Sequence, residues 1–384
     1  MYISYINKRT NKIETRQTKF VTKKNKEELE KRMQCFYYLY DKALKILESG
    51  DVSKHYRTEY RLKKNNSKRR IDVPDEQLMK YQKEMVYVFT KKLEFIFPKS
   101  VYGYVKGRNA KQMAEVHKNQ YQVIKLDIKD FFPNCTLEFI MNAMSIVYPF
   151  CLLNKKLIET IIMPCMVFYD GKYRLPQGAP TSPILSNIAM IPIDYALEYS
   201  WLNSREYSYK YTRFADDIII SHCKFYFSTD ITAEERLLLE ILGKEEPKIS
   251  LEERNYKIAK IVKEVINSIE NCLQKQNPDF SLNSKKTKVL NTACGNVWML
   301  GVSVGGNDVK IGNKKKQFLK ATLWSFLNDC KNQNPWNKKE TRHMLGILGY
   351  AKHVEPNFVN ELITKYEQKT GVNLKKEVKK ILCK

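Results

Sequence analysis

Apolar residues recur along this chain with the spacing of helices in some segments and of strands in others. A three- and four-residue spacing predicts amphipathic helices over residues 27–47, 75–97, 136–147 and 256–274. Residues 312–384 also have the pattern of helices, and this stretch is basic. The chain is therefore expected to contain long helical segments near its start, in its middle and at its end.

Strand patterns lie between these helices. Residues 60–74 predict a hairpin around an Asn-Asn turn, and residues 123–128 (VIKLDI) alternate apolar and polar positions as one strand does. Residues 209–223 (YKYTRFADDIIISHC) predict strand, tight turn and strand, and a short strand pair is expected near 297–311. Residues 175–199 read as a Gly/Pro loop that runs into a long apolar helix. This mixture predicts an α+β fold.

The composition is that of a folded protein with a large excess of positive charge. The 384 residues include 67 Lys and Arg against 42 Asp and Glu, a net charge of +25. A charge of this size and sign predicts a polyanionic partner, the alternative being a surface that only confers solubility. There is neither a transmembrane-length apolar run nor the apolar core of a signal peptide, so a membrane or secreted protein is not expected. The nine cysteines form no C-x-x-C pair, which favours reduced thiols in a cytosol.

The charge is unevenly distributed along the chain. Residues 1–74 carry 20 basic and 9 acidic side chains, net +11, and residues 305–384 carry 17 and 7, net +10. Residues 225–256 are acidic, with eight acids and four bases, net −4. We interpret this acidic segment as an insertion that faces solvent or protein rather than a polyanion. Its many apolar residues predict that it packs on its own chain, on a second copy or on an accessory protein.

Three carboxylates are the main candidates for chemistry. Asp127 ends the strand predicted at 123–128, and Asp216 and Asp217 lie at the tip of the hairpin predicted at 209–223. Adjacent side chains of a strand point to opposite faces, so only one of the pair is expected to share a face with Asp127. Carboxylates from neighbouring strands could hold two Mg²⁺ ions for phosphoryl transfer, activating a hydroxyl and stabilising a leaving group. The alternative is that the Asp-Asp pair only stabilises a turn.

Several short segments occur in an order that resembles one known family. They are LDIKDFF (126–132), LPQGAPTSP (175–183), FADD (214–217), NSKKTKV (283–289) and MLGVSV (299–304). They resemble the palm motifs of reverse transcriptases, and specifically those of the bacterial retron-like branch. SKRRIDVP (67–74) resembles the fingers motif of that family, and residues 101–117 resemble the segment before the first palm strand. The resemblance covers roughly residues 55–360.

This resemblance implies a right-hand polymerase fold, with fingers, a palm built on an antiparallel sheet and a helical thumb. The palm region would include a segment contributed by the fingers at about 140–175 and the acidic insertion at 225–256. The expected domains are a basic helical N-terminal extension (1–54), the fingers (55–122), the palm (123–304) and the thumb (305–384).

The resemblance also implies catalytic roles. Asp127 and Asp216 would be metal ligands, with the Ile128 carbonyl oxygen completing one coordination shell, and Asp217 would support the site electrostatically. The expected cofactor is a pair of Mg²⁺ ions, for which Mn²⁺ could substitute. Lys286 corresponds to the lysine of the fourth palm motif and would protonate the pyrophosphate leaving group. The alternative for Lys286 is an ordinary surface lysine.

Five further residues are implied in nucleotide binding. Phe132 stands where the family places an aromatic side chain that excludes a 2′-hydroxyl, the alternative being a core residue. Gln177 and Gly178 resemble the pair that contacts the incoming nucleotide and the templating strand. Arg69 and Arg70 lie where the fingers would clamp the triphosphate, the alternative being a solvated basic strand.

Other motifs depart from the usual retron form. Gly301 resembles the glycine of the primer-grip hairpin, but MLG (299–301) stands in place of VTG. MAEVH (113–117) lacks the usual Asn-Ala pair, and Phe214 replaces a tyrosine. These departures favour the related phage-defence reverse transcriptases outside the retron group, and they leave the three aspartates untouched.

The implied function is Mg²⁺-dependent, RNA-templated DNA synthesis in the bacterial cytoplasm, in antiviral defence. The partners would be a noncoding RNA template, the RNA/DNA duplex and dNTPs. One alternative is a template-independent or protein-primed polymerase of the same fold, with Tyr2 or Tyr5 as the primer. Another is a catalytically idle RNA-binding scaffold, against which the intact Asp127, Asp216 and Asp217 argue.

Overall fold

The computed structural model divides the chain into two compact units. The first comprises residues 1–108 and 124–289, and the second comprises residues 109–123 and 290–384. The residues that the structure describes are 2–6, 13–17, 23–62, 66–92, 97–198, 209–222, 241–242, 251–291, 295–305, 308–334 and 336–383.

Helices account for most of the regular structure in these residues. They are α1 (Lys23–Leu47), α2 (Glu76–Tyr87), α3 (Ala110–Val116), α4 (Phe131–Asn134), α5 (Leu137–Met144), α6 (Lys155–Ile162), α7 (Ser182–Ala196), α8 (Leu251–Gln276), α9 (Asn313–Lys331), α10 (Lys338–Val354), α11 (Pro356–Thr370) and α12 (Leu374–Cys383). The predicted helices at 27–47, 136–147 and 256–274 are therefore confirmed. In the segment predicted at 75–97, α2 continues as a π-helical turn, Val88–Lys92.

The strands pair into several small sheets. They are β1 (Tyr2–Ile6), β2 (Ile13–Gln17), β3 (Tyr56–Leu62), β4 (Lys68–Pro74), β5 (Gln122–Asp127), β6 (Val167–Tyr169), β7 (Lys172–Arg174), β8 (Tyr209–Phe214), β9 (Asp217–His222), β10 (Lys288–Asn291), β11 (Val297–Met299), β12 (Val302–Gly305) and β13 (Asp308–Lys310). The predicted hairpins β3–β4 and β8–β9 and the predicted strand β5 are confirmed.

The N-terminal extension, predicted as a basic helical segment over residues 1–54, also contains strands. β1 and β2 pair antiparallel, with Tyr2 opposite Gln17 and Ile6 opposite Ile13, before α1 begins. The sequences YISYI and IETRQ are rich in β-branched and aromatic residues, which fit paired extended strands. The helical prediction is thus correct for α1 and wrong for the residues that precede it.

A four-stranded sheet in the order β10-β5-β9-β8 carries the main candidate residues. Helix α7 packs against α5, and its residues from Ile184 to Asp194 are all buried. A helix enclosed in this way is apolar all round rather than amphipathic, which explains why 175–199 shows no polar stripe. The apolar residues of β5, β9 and α7 belong to one continuous core, so the carboxylates at the strand ends are fixed to a rigid base.

The second unit contains the predicted strands near 297–311, but they number three rather than two. β11, β12 and β13 form an antiparallel sheet. The β11–β12 loop is Leu300–Gly301, with φ of 46° and 86°, a left-handed geometry that suits a tight hairpin. The same unit contains α9 to α12, which confirms the helical prediction for the C-terminal stretch.

Most of the acidic segment 225–256 lies outside the described residues, so its predicted packing stays a prediction. α8 begins at Leu251, slightly before the predicted start. No helix in the described part of the chain has the length and apolar character that crossing a bilayer requires. The cysteines in these same ranges are free thiols, as expected.

Candidate active site

The three predicted carboxylates come together at one end of the four-stranded sheet. Asp127 is the last residue of β5 and is only 7% exposed. Asp216 lies in the two-residue loop between β8 and β9, and Asp217 is the first residue of β9. The Ile128 amide donates a hydrogen bond of 3.1 Å to the Asp216 carbonyl oxygen, which joins the end of β5 to the tip of the hairpin. The prediction that these strands are neighbours is confirmed.

Burial and mutual repulsion perturb the carboxyl groups of Asp216 and Asp217. Burial raises the pKa of Asp217 to about 6, and the negative charges of Asp216 and Asp127 add to the increase. Burial also raises the pKa of Asp216, and Asp127 contributes again. Partly buried carboxylates that disfavour one another's ionisation are stabilised when a cation binds between them. The donor chemistry of these residues therefore fits a divalent metal ion.

A lysine already lies against this cluster. The Lys286 Nζ donates a hydrogen bond of 2.7 Å to Asp127 Oδ1, and the Asn283 side-chain amide lies 3.3 Å from Asp127 Oδ2. The bond to Asp127 raises the pKa of Lys286, which therefore stays protonated. Lys286 is thus an exposed lysine whose ammonium group reaches Asp127, and its catalytic role stays a prediction.

Metal binding would involve few protein ligands. Across the described ranges, no set of three or more His, Cys, Asp or Glu side chains is placed so that it could hold a metal ion by itself. Mg²⁺ is usually bound by one or two carboxylates together with substrate phosphates, and not by an all-protein cage. The metal-ligand role implied for Asp127, Asp216 and the Ile128 carbonyl stays a prediction.

The predicted nucleotide-binding loop contacts the basic hairpin. The Asp72 amide donates a hydrogen bond of 2.8 Å to the Gln177 carbonyl oxygen, which fastens the loop to β4. Gly178 has a φ of 121°, and a Cβ there would lie 3.0 Å from both the Asp72 carbonyl oxygen and the Ile71 side chain. Only glycine fits this position without strain. Gln177 and Gly178 are therefore held beside the strand that contains Arg69 and Arg70.

The two arginines of β4 have different surroundings. The Arg70 Nε donates to Asp72 Oδ1 at 2.9 Å, and its guanidinium lies 4.4 Å from the ring centre of Tyr169. Arg69 is exposed, and its positive charge partly offsets the effect of burial on the pKa of Asp216. Arg70 is thus engaged in internal contacts, whereas Arg69 is exposed and its charge is felt at Asp216.

The two phenylalanines after Asp130 also differ. The buried Phe131 ring stacks on Phe280, with ring centres 5.9 Å apart. The Phe132 ring lies 5.5 Å from that of Phe131 and is only partly buried. Phe131 therefore fills the core, and Phe132 is partly buried against it. The sugar-selecting role implied for Phe132 stays a prediction.

The pattern of the whole chain matches one known family. The family model for reverse transcriptase (RNA-dependent DNA polymerase) matches residues 62–347, well over half of the chain. The chain belongs to the reverse transcriptase family. The predicted right-hand polymerase fold and the predicted activity, RNA-directed DNA polymerisation, follow from this membership.

Curated relatives place this reverse transcriptase in the retron-like branch. The retron Ec73 reverse transcriptase of Escherichia coli is 26% identical over 277 residues, which cover 70% of this chain and 74% of that protein. The retron Mx65 reverse transcriptase of Myxococcus xanthus is 31% identical over 194 residues, which cover 48% and 43%. Among solved structures, apo telomerase from Candida tropicalis aligns with 99% of this chain and 67% of that chain, at 13% identity and a TM-score of 0.41. The predicted placement outside the true retrons stays a prediction.

In the second unit of this reverse transcriptase, Gly301 lies at the tip of the β11–β12 hairpin. Its carbonyl oxygen accepts hydrogen bonds from Lys315 Nζ at 2.8 Å and from the Tyr350 hydroxyl at 3.1 Å. The side chains of two helices, α9 and α10, thus hold the turn. The primer-grip role implied for Gly301 stays a prediction.

Sequence reasoning missed a buried polar network beneath the reverse transcriptase carboxylates. Arg213 and Asp194 are both 0% exposed and form an ion pair directly below the β8–β9 loop. The available signals were an arginine near the end of β8 and an aspartate within the apolar helix α7. Each residue alone reads as a surface charge, and only the fold shows that they meet.

Proposed function

We propose that this reverse transcriptase binds two Mg²⁺ ions through Asp127, Asp216 and the Ile128 carbonyl oxygen, with Mn²⁺ as a substitute. The observation that carries this proposal is the convergence of three carboxylates whose burial and mutual repulsion raise the pKa of Asp216 and Asp217. When bound, such ions activate the primer hydroxyl and stabilise the leaving pyrophosphate. The Asp217 carboxylate adds negative charge beside the two metal ligands, and the sheet holds all three side chains in place.

Arg69, Gln177 and Gly178 would bind the incoming dNTP. Arg69 is exposed, its positive charge acts to lower the pKa of Asp216, and its guanidinium suits the charge of a triphosphate. The absence of a side chain at Gly178 lets the loop approach the β4 backbone closely, and this holds Gln177 beside the strand that carries Arg69. Arg70 would contribute indirectly, because it orders the strand through Asp72 and Tyr169.

Lys286 would deliver the proton that the leaving pyrophosphate requires. Its bond to Asp127 keeps it protonated beside the reacting groups. Because general acid catalysis contributes about 10²–10⁴-fold, Lys286→Met is expected to lower kcat by about 10²-fold with little change in the dNTP KM. Single-turnover incorporation of one nucleotide measures this effect. The adjacent exposed Lys285, changed to Met, is the matched control, and an equal loss in both variants would remove the acid role.

Phe132 would select deoxyribonucleotides by leaving no room for a 2′-hydroxyl. Phe132→Ala is therefore expected to raise the efficiency of rNTP incorporation relative to dNTP incorporation by about 10- to 100-fold. The ratio of kcat/KM for a matched rNTP and dNTP measures this. Phe168→Ala removes another accessible aromatic ring, on β6, and should leave the ratio unchanged. If Phe132→Ala also leaves it unchanged, Phe132 only packs on Phe131.

The template would be a partner noncoding RNA, copied in the bacterial cytoplasm as part of antiviral defence. The support is the retron identity of the relatives, together with the basic balance of residues 1–74 and 305–384. These basic regions would hold the RNA and the RNA/DNA duplex through phosphate contacts. Sequencing the nucleic acid that co-purifies with the protein tests this. One RNA species joined to complementary DNA is expected, whereas a random sample of cellular RNA would contradict it.

A further inference from the structure

The loop that carries Asp216 rests on a buried ion pair. Arg213 of β8 and Asp194 of α7 are both 0% exposed. The guanidinium makes two parallel bonds to the carboxylate, Nε to Oδ1 and Nη2 to Oδ2, each 2.7 Å long. The Tyr211 hydroxyl donates a further bond of 2.8 Å to Asp194 Oδ1. This fork geometry fixes the plane and direction of the guanidinium.

The remaining guanidinium nitrogen reaches the catalytic loop. Arg213 Nη1 donates to the Ala215 carbonyl oxygen at 3.1 Å and to Asn187 Oδ1 at 2.9 Å. Asn187 is itself fully buried in α7, and its Nδ2 donates to the Gly103 carbonyl oxygen at 2.6 Å. The peptide that joins Ala215 to Asp216 is therefore tied through Arg213 to the core helix.

The other side of the loop is held by backbone contacts. The Arg213 amide donates to the Ser100 carbonyl oxygen at 2.9 Å, and the Tyr102 amide donates to the Arg213 carbonyl oxygen at 2.8 Å. Gly103 lies so close that a Cβ there would be 2.6 Å from the Ala215 nitrogen. Ala215 has a φ of 58°, a conformation that alanine rarely adopts without outside support. The loop is thus clamped in a conformation that it would not adopt unaided.

A buried ion pair does not by itself indicate a contribution to stability. Apolar residues of similar volume often replace such a pair with no loss, because removing two charges from water is costly. What an apolar pair cannot supply is the hydrogen bond from Arg213 Nη1 to the Ala215 carbonyl oxygen. That bond is directed at the loop beside Asp216 and Asp217.

We propose that Arg213, oriented by Asp194 and Asn187, is a positioning residue that sets the place of the Asp216 and Asp217 carboxylates relative to Asp127. The inference rests on the proposed function of those carboxylates. Arg213 touches neither substrate nor metal and acts only through the Ala215 peptide. A misplacement of about 1 Å can cost about 10²-fold in rate, so a small shift of this peptide is enough to matter.

The test compares Arg213→Lys with Tyr211→Phe. Lysine keeps the charge beside Asp194 but has no planar fork, so it cannot hold Asp194, Asn187 and the Ala215 carbonyl at once. Tyr211→Phe removes one bond to Asp194 from the same network and leaves the loop contacts in place. The measurements are the melting temperature in EDTA, kcat and KM for single dNTP addition, and binding of Mn²⁺ alone by electron paramagnetic resonance.

Arg213→Lys is expected to lower kcat by about 10²-fold and to weaken Mn²⁺ binding, with little change in KM, while Tyr211→Phe keeps the wild-type values. If both variants lose kcat in proportion to their loss of melting temperature and bind Mn²⁺ normally, the ion pair of Arg213 and Asp194 is only structural. The proposal is then overturned. Should Arg213→Lys fail to fold, the double variant Arg213→Met with Asp194→Leu replaces it. That variant is expected to fold with the same low kcat, and wild-type kcat in it would overturn the proposal.

Asp216→Asn is measured in parallel so that the two hypotheses fail separately. If Asp216→Asn keeps its incorporation activity, the proposed function of the carboxylates is wrong, and the positioning role falls with it. If Asp216→Asn is inactive while the apolar double variant is fully active, only the positioning role is wrong.

Discussion

Replacing Asp216 with Asn is expected to lower dNTP incorporation by about 10³-fold or more, without lowering the melting temperature in EDTA. Bound metal ions contribute several kcal/mol of transition-state stabilisation, and each 1.36 kcal/mol is a factor of ten in rate. Folding, in contrast, gains from the change. The pKa of Asp216 and that of Asp217 are raised in the folded protein, the latter to about 6. Because folding raises these two pKa values, the free energy of unfolding falls as rising pH ionises the carboxyl groups. Asn removes one of the two charges.

Steady-state incorporation with Mg²⁺ and thermal unfolding in EDTA, both at neutral pH, measure the two halves of this expectation. Asp170→Asn is the matched control, because Asp170 is an exposed aspartate with a φ of 50° in the β6–β7 turn, where Asn is also favourable. The control should keep wild-type activity. Retained incorporation in Asp216→Asn would show that the site lies elsewhere, and a large loss of melting temperature would show that Asp216 is needed for folding.

The affinity for RNA is expected to fall steeply and linearly on a plot of log affinity against log salt. If the basic regions make six to ten phosphate contacts, the loss between about 50 and 200 mM salt is on the order of 10³–10⁵. The helix α12 carries exposed lysines suited to such contacts, among them Lys375 and Lys376. Changing both to Gln should reduce the slope by about one for each phosphate contact that is lost.

Fluorescence anisotropy with a labelled RNA at several salt concentrations measures these slopes. The matched control changes Lys260 and Lys263, two exposed lysines of α8 near the acidic segment, to Gln. This control should keep the wild-type slope. A flat salt dependence of the wild-type protein would mean that the net charge of +25 serves solubility and not RNA binding.

Local patterns were sufficient to predict the acidic site. VIKLDI alternates as a strand that is followed by a turn, and the FADD segment stands between two β-rich arms, so both carboxylate sites were expected at strand ends. Arg69 and Arg70 were both expected at the triphosphate, but their different surroundings were not. That difference depends on Asp72 and Tyr169, which the fold brings beside Arg70.

Features that depend on distant contacts were not predictable. The ion pair of Arg213 and Asp194 requires α7 to lie under β8, and neither charge signals burial on its own. The β6–β7 hairpin was missed although its turn is Asp170–Gly171, a sequence typical of tight hairpins, because its strands are too short to show a clear alternation. In both places the missing information is tertiary packing, which no local pattern contains.

The central claim is that this reverse transcriptase copies RNA into DNA with the Asp127, Asp216 and Asp217 site. The most direct measurement is single-nucleotide extension of one primer on a set of RNA templates that differ only in the first templating base. Each dNTP is supplied alone, and Asp216→Asn is measured beside the wild type. The account predicts that the wild type adds only the dNTP complementary to each template base, and that the variant adds none. Addition of the same nucleotides whatever the template, or without one, would contradict it and indicate a template-independent polymerase.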